Sequence, residues 1–247
     1  GMIMADLWVL DRGEQLVLLL PEAARHAVLE SFERQIIMED VELVPETLTR
    51  VISIQGPLCN ALVEQFEPSL RDAHSADELG HGGVYVLVPE SDLPDLLERI
   101  VERAHALDGA AVDDAGFELA RVRSGRARYG RDFSDQQYPQ EAGLKERAVS
   151  FNKGCYLGQE VVCTLESRGR LSRALTRLTG DGDVTPASDA ELFDAQGQAI
   201  GRLTSVVQDP DANRVLALGY LKSAHTAPGA LLHAGSRSLT VVGPCGV

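Results

Sequence analysis

Apolar runs at residues 6–11 and 15–20 flank Arg12-Gly13-Glu14, so the chain opens with a predicted hairpin that turns at Gly13. From Pro21 onward, Ala24, Val28, Phe32 and Ile36 recur at helical spacing, and strands are expected at 41–44 and 48–54. Gly56-Pro57 opens a short helix through Phe66, with Pro57 in a first turn where its missing N–H costs nothing. A strand at 84–88 precedes a longer helix. Ser91 is its predicted N-cap, Leu93, Leu96, Leu97, Ile100, Val101, Ala104 and Leu107 form one face, and Gly109 ends it. Residues 117–123 predict a further strand. Strands and helices alternating in this way make a mixed sheet covered on one face by helices.

Beyond Leu171 the helical period disappears. Apolar strands at 174–178, 190–193, 200–207, 215–221, 231–233 and 239–242 alternate with Asp, Gly and Pro turns, so the tail is expected to be a small all-β barrel or sandwich. Its length is near the lower limit for independent stability, which predicts packing on the preceding domain. The expected division is therefore an α+β body at 1–170 and a β domain at 171–247. No repeat of solenoid period interrupts either part.

Composition narrows the class. With 44% apolar and 24% charged residues in 247, the chain can bury a core. The richest apolar stretch, 16–20, stops at Pro21-Glu22, far short of the roughly 20 residues that span a bilayer, and no cationic segment leads into an apolar leader. A soluble, cytoplasmic protein without membrane contact is expected. Cys59, Cys155, Cys163 and Cys245 show no CxxC and no His-spaced pair, so free thiols are expected, and the six His share no metal-ligand spacing, so no metal site is expected.

Charge singles out one segment. The net charge is -14, from 37 acidic and 23 basic residues, which argues against general nucleic-acid binding. Residues 121–177, however, carry twelve basic residues (ten Arg, two Lys) against six acidic. A cationic segment within an anionic protein reads either as a solvated face or as a pocket for an anionic ligand. In the ligand reading, the arginines of 121–131 and 168–173 converge on one concave face.

Within this segment, Lys153-Gly154-Cys155-Tyr156-Leu157-Gly158-Gln159-Glu160 places a thiol between two glycines at the approach to a helix. The positive end of that helix and Lys153 both favour thiolate, making Cys155 the candidate reactive group, although buried filling is an ordinary role for cysteine. Cys59, Cys163 and Cys245 take the filling role.

The eight residues 153–160 resemble the K-G-C-[FY]-x-G-Q-E signature of the YgfZ family of folate-binding proteins, relatives of the glycine-cleavage T-protein (aminomethyltransferase). Arg168-Gly169 and Arg173-Ala174-Leu175 also resemble that family. Tyr129-Gly130-Arg131-Asp132 and Pro139-Gln140-Glu141-Ala142-Gly143-Leu144 are similar to the Y-G-x-D and P-x-E-x-x-L landmarks of aminomethyltransferases. The resemblance implies an α+β body with a C-terminal β-barrel and tetrahydrofolate, or a folylpolyglutamate, as ligand. It also implies support of iron–sulfur proteins and, through them, of tRNA modification. Cys155 and Lys153 become the implied catalytic pair. Tyr129, Asp132, Glu141, Tyr156, Gln159, Glu160, Arg123 and Arg168 become the implied folate contacts.

Three departures from the aminomethyltransferase pattern matter. Arg123 stands where those enzymes carry an acid in L-R-x-E-x-G, Ala27 falls where their catalytic Asp is expected, and Thr164 replaces a usual basic residue. The chain also begins inside the family pattern, so part of the usual first domain is expected to be missing. The alternatives to a folate-dependent accessory protein are a one-carbon transferase of the T-protein type and a ligandless interaction module.

Overall fold

The computed structural model describes residues 1–66, 70, 72–167, 169, 171–182 and 185–246. The opening hairpin pairs β1 (Trp8–Asp11) with β2 (Leu16–Leu19), and the Asp11 carboxylate accepts the Gly13 N–H at the turn. After α1 (Arg25–Glu33) come β3 (Thr49–Gln55), α2 (Cys59–Glu64), β4 (Ala73–Ser75), β5 (Gly83–Pro89) and α3 (Leu93–His105). Then follow α4 (Asp114–Arg123), α5 (Lys145–Ala148) and α6 (Gln159–Ser167). Last are β6 (Arg173–Asp181), β7 (Glu191–Phe193), β8 (Ala199–Asp209), β9 (Arg214–Lys222), β10 (Leu231–Ala234) and β11 (Arg237–Pro244).

The chain divides into two compact units. One comprises residues 8–19 and 29–117, the other residues 1–7, 20–28 and 118–247. The body expected at 1–170 is thus shared between them, and 118–170 groups with the barrel. In the first unit β5 lies between β3 and β4, all antiparallel. Ile52, Ile54, Val84, Val86 and Val88 meet Leu62, Phe66 and Ile100, forming one core, while Leu10, Tyr85 and Leu87 form another with Trp8, Val17 and Leu19. Val84 to Val88 therefore read as an unbroken apolar run because both strand faces are covered.

In the second unit β10-β11-β6-β9-β8-β7 close into a barrel, which resolves the barrel-or-sandwich alternative. Leu178, Leu192, Ile200, Leu203, Leu221, Leu232 and Leu239 fill it. On its outer face Leu175, Leu216, Leu218, Tyr220 and Cys245 pack against Val122 of α4. β9 is buried on both faces for this reason, and its side chains alternate between the two cores.

Three expectations are corrected. Residues 117–123 form helix, not strand: Phe117, Leu119 and Val122 mimic a short strand pattern, but Arg121 bonds Glu118 three residues earlier, a pairing a helix face supplies. Residues 41–44 form no strand, and Val41 and Val44 are exposed, so their apolar pattern has no sheet partner. Ser91 does not cap α3; its hydroxyl donates to Asp92, which precedes the helix without a side-chain cap. Among the described residues, no helix is long and apolar enough to cross a membrane.

Candidate functional site

Two parts of the second unit carry the chemistry that the sequence singled out. The first is a buried ionic knot. Arg121, 2% exposed on α4, directs Nη1 to Asp132 Oδ2 at 2.7 Å, and Nε and Nη2 to Glu118 at 2.9 and 2.6 Å. The same Nη1 reaches the Arg126 carbonyl at 2.8 Å, and Nη2 reaches Ser205 Oγ at 2.7 Å.

Asp132 is buried, and four donors fill its carboxylate. Arg121 and the Arg128 N–H, at 3.0 Å, take Oδ2, while Thr204 and Ser205 donate to Oδ1. In a regular strand, neighbours such as Thr204 and Ser205 point to opposite faces. Here the register of β8 against β9 shifts between Leu203 and Ser205, a bulge that lets both hydroxyls reach one oxygen. Glu118 is shared further with Arg128 at 2.7 Å and Arg131 at 3.7 Å. Burial pushes the Glu118 carboxyl up, but hydrogen bonds and charge from Arg121 and Arg128 outweigh it and hold the group at about 2.

A second buried carboxylate sits beside the knot. Glu141 binds Arg173 at 3.1 Å and accepts the Tyr138 N–H at 3.2 Å, and its carbonyl takes the Leu175 N–H at the start of the barrel. Arg173 also lies 5.2 Å over the Tyr220 ring. Arg123 binds Asp209 at 3.0 Å, so its charge is met by the barrel. Tyr129 is half-buried, edge-on to Phe133 at 5.7 Å. Arg168 lies outside the described residues. The arginines expected to line a ligand face thus include five, at 121, 123, 128, 131 and 173, that bind carboxylates of the protein itself.

The second part is the signature loop before α6. Cys155 and Lys153 are exposed, and the Lys153 ammonium lies 4.7 Å over the Tyr156 ring. The Gln159 side chain accepts the Tyr156 N–H at 3.1 Å, so the first residue of α6 holds the loop. Gly158 has φ +80, which suits a residue without Cβ at the turn into α6. Glu160 is exposed in the first turn, where its charge complements the helix dipole. Exposure extends to Cys163, expected as buried filling, whereas Cys59 and Cys245 are buried as expected.

Two polar atoms near this loop are buried without a protein partner, Tyr156 Oη and Gln140 Oε1. Gln140 is tied to α6 through Nε2, which donates to the Val162 carbonyl at 2.9 Å. The sequence landmark containing Gln140 pointed to its neighbour Glu141 instead. Ser205 and Thr204 had no sequence signal, because a strand bulge carries none, whereas Glu118 could have been found from its spacing of three to Arg121 once 117–123 is read as helix.

No protein-family model matches the chain. It is similar to the tRNA-modifying protein YgfZ of Yersinia pseudotuberculosis, 26% identical over 208 residues that cover 78% of this chain and 60% of that protein. It is also similar to an aminomethyltransferase of Corynebacterium jeikeium, at 22% identity over 93% of this chain and 68% of that one. Among solved structures, the glycine cleavage system aminomethyltransferase T of Bartonella henselae superposes with a TM-score of 0.81 at 20% identity, covering all of this chain and 73% of that one. The chain is similar to both named groups and has the aminomethyltransferase fold, and its match spans about 60% of the length of the YgfZ proteins.

Proposed function

We propose that this chain is a tetrahydrofolate-binding protein of the YgfZ kind, supporting iron–sulfur proteins and, through them, tRNA modification. It works in the cytoplasm without direct nucleic-acid or membrane contact. The observation that carries the reading is the signature loop: an exposed Cys155 on a backbone that Gln159 holds, beside polar atoms with no protein partner.

A pterin edge presents N–H donors and ring acceptors, and this chain offers groups of matching type. Tyr156 Oη can donate or accept, Gln140 Oε1 accepts, and Glu160 is an exposed carboxylate. Lys153 would meet a carboxylate of the glutamate tail. Asp132, Glu141 and Arg123 serve a different role, holding α4, the 128–141 segment and the barrel together, since their charges are met within the protein. Bound folate would supply a one-carbon carrier. The protein's own residues orient it and keep the Cys155 thiol open to a partner.

Aminomethyl transfer is the second reading, favoured by the fold. Against it, Ala27 is exposed on α1 with no acid or base to offer, and Arg123 is engaged with Asp209 where those enzymes carry an acid.

Calorimetric titration with tetrahydrofolate tests the proposal. Binding should weaken with salt and tighten with added glutamates, because charge-assisted contacts are screened. Tyr156→Phe and Glu160→Gln should weaken it. Cys155→Ala should retain most affinity yet fail to rescue a cell lacking its own YgfZ-type protein. A folded chain that binds no folate, or that transfers aminomethyl groups with T-protein partners, overturns the reading.

A further inference from the structure

In the first unit a cavity of about 560 Å³ lies between the end of β5, the start of α3 and residues 70 and 72. β4 pairs with β5 only as far as Val86, whereas β5 runs on to Pro89, so the third strand stops short of it. The volume falls in the range of roughly 300–1,000 Å³ that small-molecule sites occupy. Leu70, Val86, Val88 and Leu96 give the cavity an apolar lining continuous with the core of the unit. Asp92, Asp95 and Arg99, just before α3 and in its first two turns, add charge of both signs.

Two local pairings that this sequence offers are not made there. Asp is a strong capping residue, yet Asp92 accepts no N–H from the first turn of α3. Its backbone is near-helical, at φ -95 and ψ -11, and its carboxylate takes the Ser91 hydroxyl at 2.7 Å instead. Asp95 and Arg99 stand four residues apart with the acid first, the order that pairs best along a helix. They form no ion pair, and the Arg99 guanidinium lies 5.4 Å over the Phe66 ring. The helix dipole favours acids at this end but gives their oxygens no hydrogen bond. Asp72, which also lines the cavity, is met by Arg12 and lies 2.8 Å from His74. Among the described residues, then, two carboxylates and one guanidinium border one apolar-lined space, each without a counter-ion.

We propose that this cavity binds a short peptide with apolar side chains, its terminal ammonium on Asp92 and Asp95 and its terminal carboxylate on Arg99. Along α3, at a rise of about 1.5 Å per residue, Asp95 and Asp92 precede Arg99 by about 6 and 10 Å. An extended chain advances about 3.3–3.6 Å per residue, so roughly two or three residues cover that separation, which the adjacent charges of a free amino acid do not. The charged contacts fix the direction of the peptide, and the apolar lining takes its side chains. The site uses none of the residues assigned to folate, so either reading can fail without the other.

The test is calorimetric titration of the full chain with leucyl-leucine. Its N-acetyl form lacks the ammonium, its C-terminal amide lacks the carboxylate, glycyl-glycine lacks the apolar side chains, and free leucine lacks the length. Leucyl-leucine should bind, and each of the four comparison ligands should bind roughly tenfold more weakly or worse. Asp95→Asn and Arg99→Gln should each weaken leucyl-leucine roughly tenfold. Asp95→Asn should not weaken the acetylated form further, nor Arg99→Gln the amide, because ligand and variant then remove the same contact. Glu98→Gln, which changes an exposed acid of α3 outside the cavity lining, should bind as before. These positions are all exposed, so the variants should keep the fold, which circular dichroism checks. The assignment is overturned if the folded chain binds no leucyl-leucine, if either capped form or free leucine binds as tightly, or if the folded Asp95→Asn and Arg99→Gln variants bind it undiminished.

Discussion

Around Arg121, the guanidinium, two carboxylates and two barrel hydroxyls fill one another's hydrogen-bonding capacity out of solvent. Around Cys155, some thirty residues later, the side chains of Lys153, Cys155, Leu157 and Glu160 face solvent, and Gln159 holds the backbone. The same cationic segment supplies both. In the first region its charge is consumed in joining α4 to the barrel; in the second Lys153 is exposed and lies over the Tyr156 ring. Net charge along a sequence therefore does not locate a ligand site, because it does not show which cations already have acids.

Removing the guanidinium at the centre of the knot should cost the most stability. Arg121→Met leaves Asp132 buried without its cation, and should cost about 3–5 kcal/mol in denaturant unfolding. A loss below about 1 kcal/mol would mean that the knot does not join α4 to the barrel. Ser205→Ala withdraws one of four donors to Asp132 and should cost about 1–3 kcal/mol. Combined with Arg121→Met the two losses should not add, since both act on one carboxylate.

Acid titration sharpens the contrast further. Glu118 sits at about 2, below the usual range for glutamate. A carboxyl depressed on folding adds stability that is present above its unfolded value and lost as the pH falls through its folded value. Stability should therefore decline from about pH 4.5 towards pH 2, and Glu118→Gln should flatten that limb of the pH profile.

In the signature loop the expected effects on stability are the smallest. Lys153→Ala removes an exposed cation–π contact with Tyr156 and should change unfolding by no more than about 1 kcal/mol. Alkylation with peptide mapping supplies the readout for the loop. Cys155 and Cys163 should label in the native state, and Cys245 only on unfolding, since it is buried and its thiol is held protonated. Native labelling of Cys245 ahead of Cys155 would reverse the assignment of the exposed region.

Much of the fold was legible in local pattern. The Gly13 hairpin, α3 and all six barrel strands are found where periodicity and turn residues predict them, because each buries a face repeated at its own period. The segment 117–123 was misread because F-E-L-A-R-V-R fits two periods, and the choice depends on Arg121 having Glu118 and Asp132 to meet. Residues 41–44 show the converse: a strand-like pattern with no neighbour to pair with remains irregular. In the loop, the contiguous residues 153–160 were recognisable as a unit, whereas Gln140 was not, since its link to Val162 crosses two elements.

By itself the sequence determined the opening hairpin, α3 and the strands of the all-β tail, each of which depends on neighbours within a few residues. Tertiary structure decided the fate of the charges. It gave Asp132 its two hydroxyl donors through a bulge in β8 and tied Arg123 to Asp209. Ion pairing depends on which distant side chains folding brings within about 4 Å, and no local period records that.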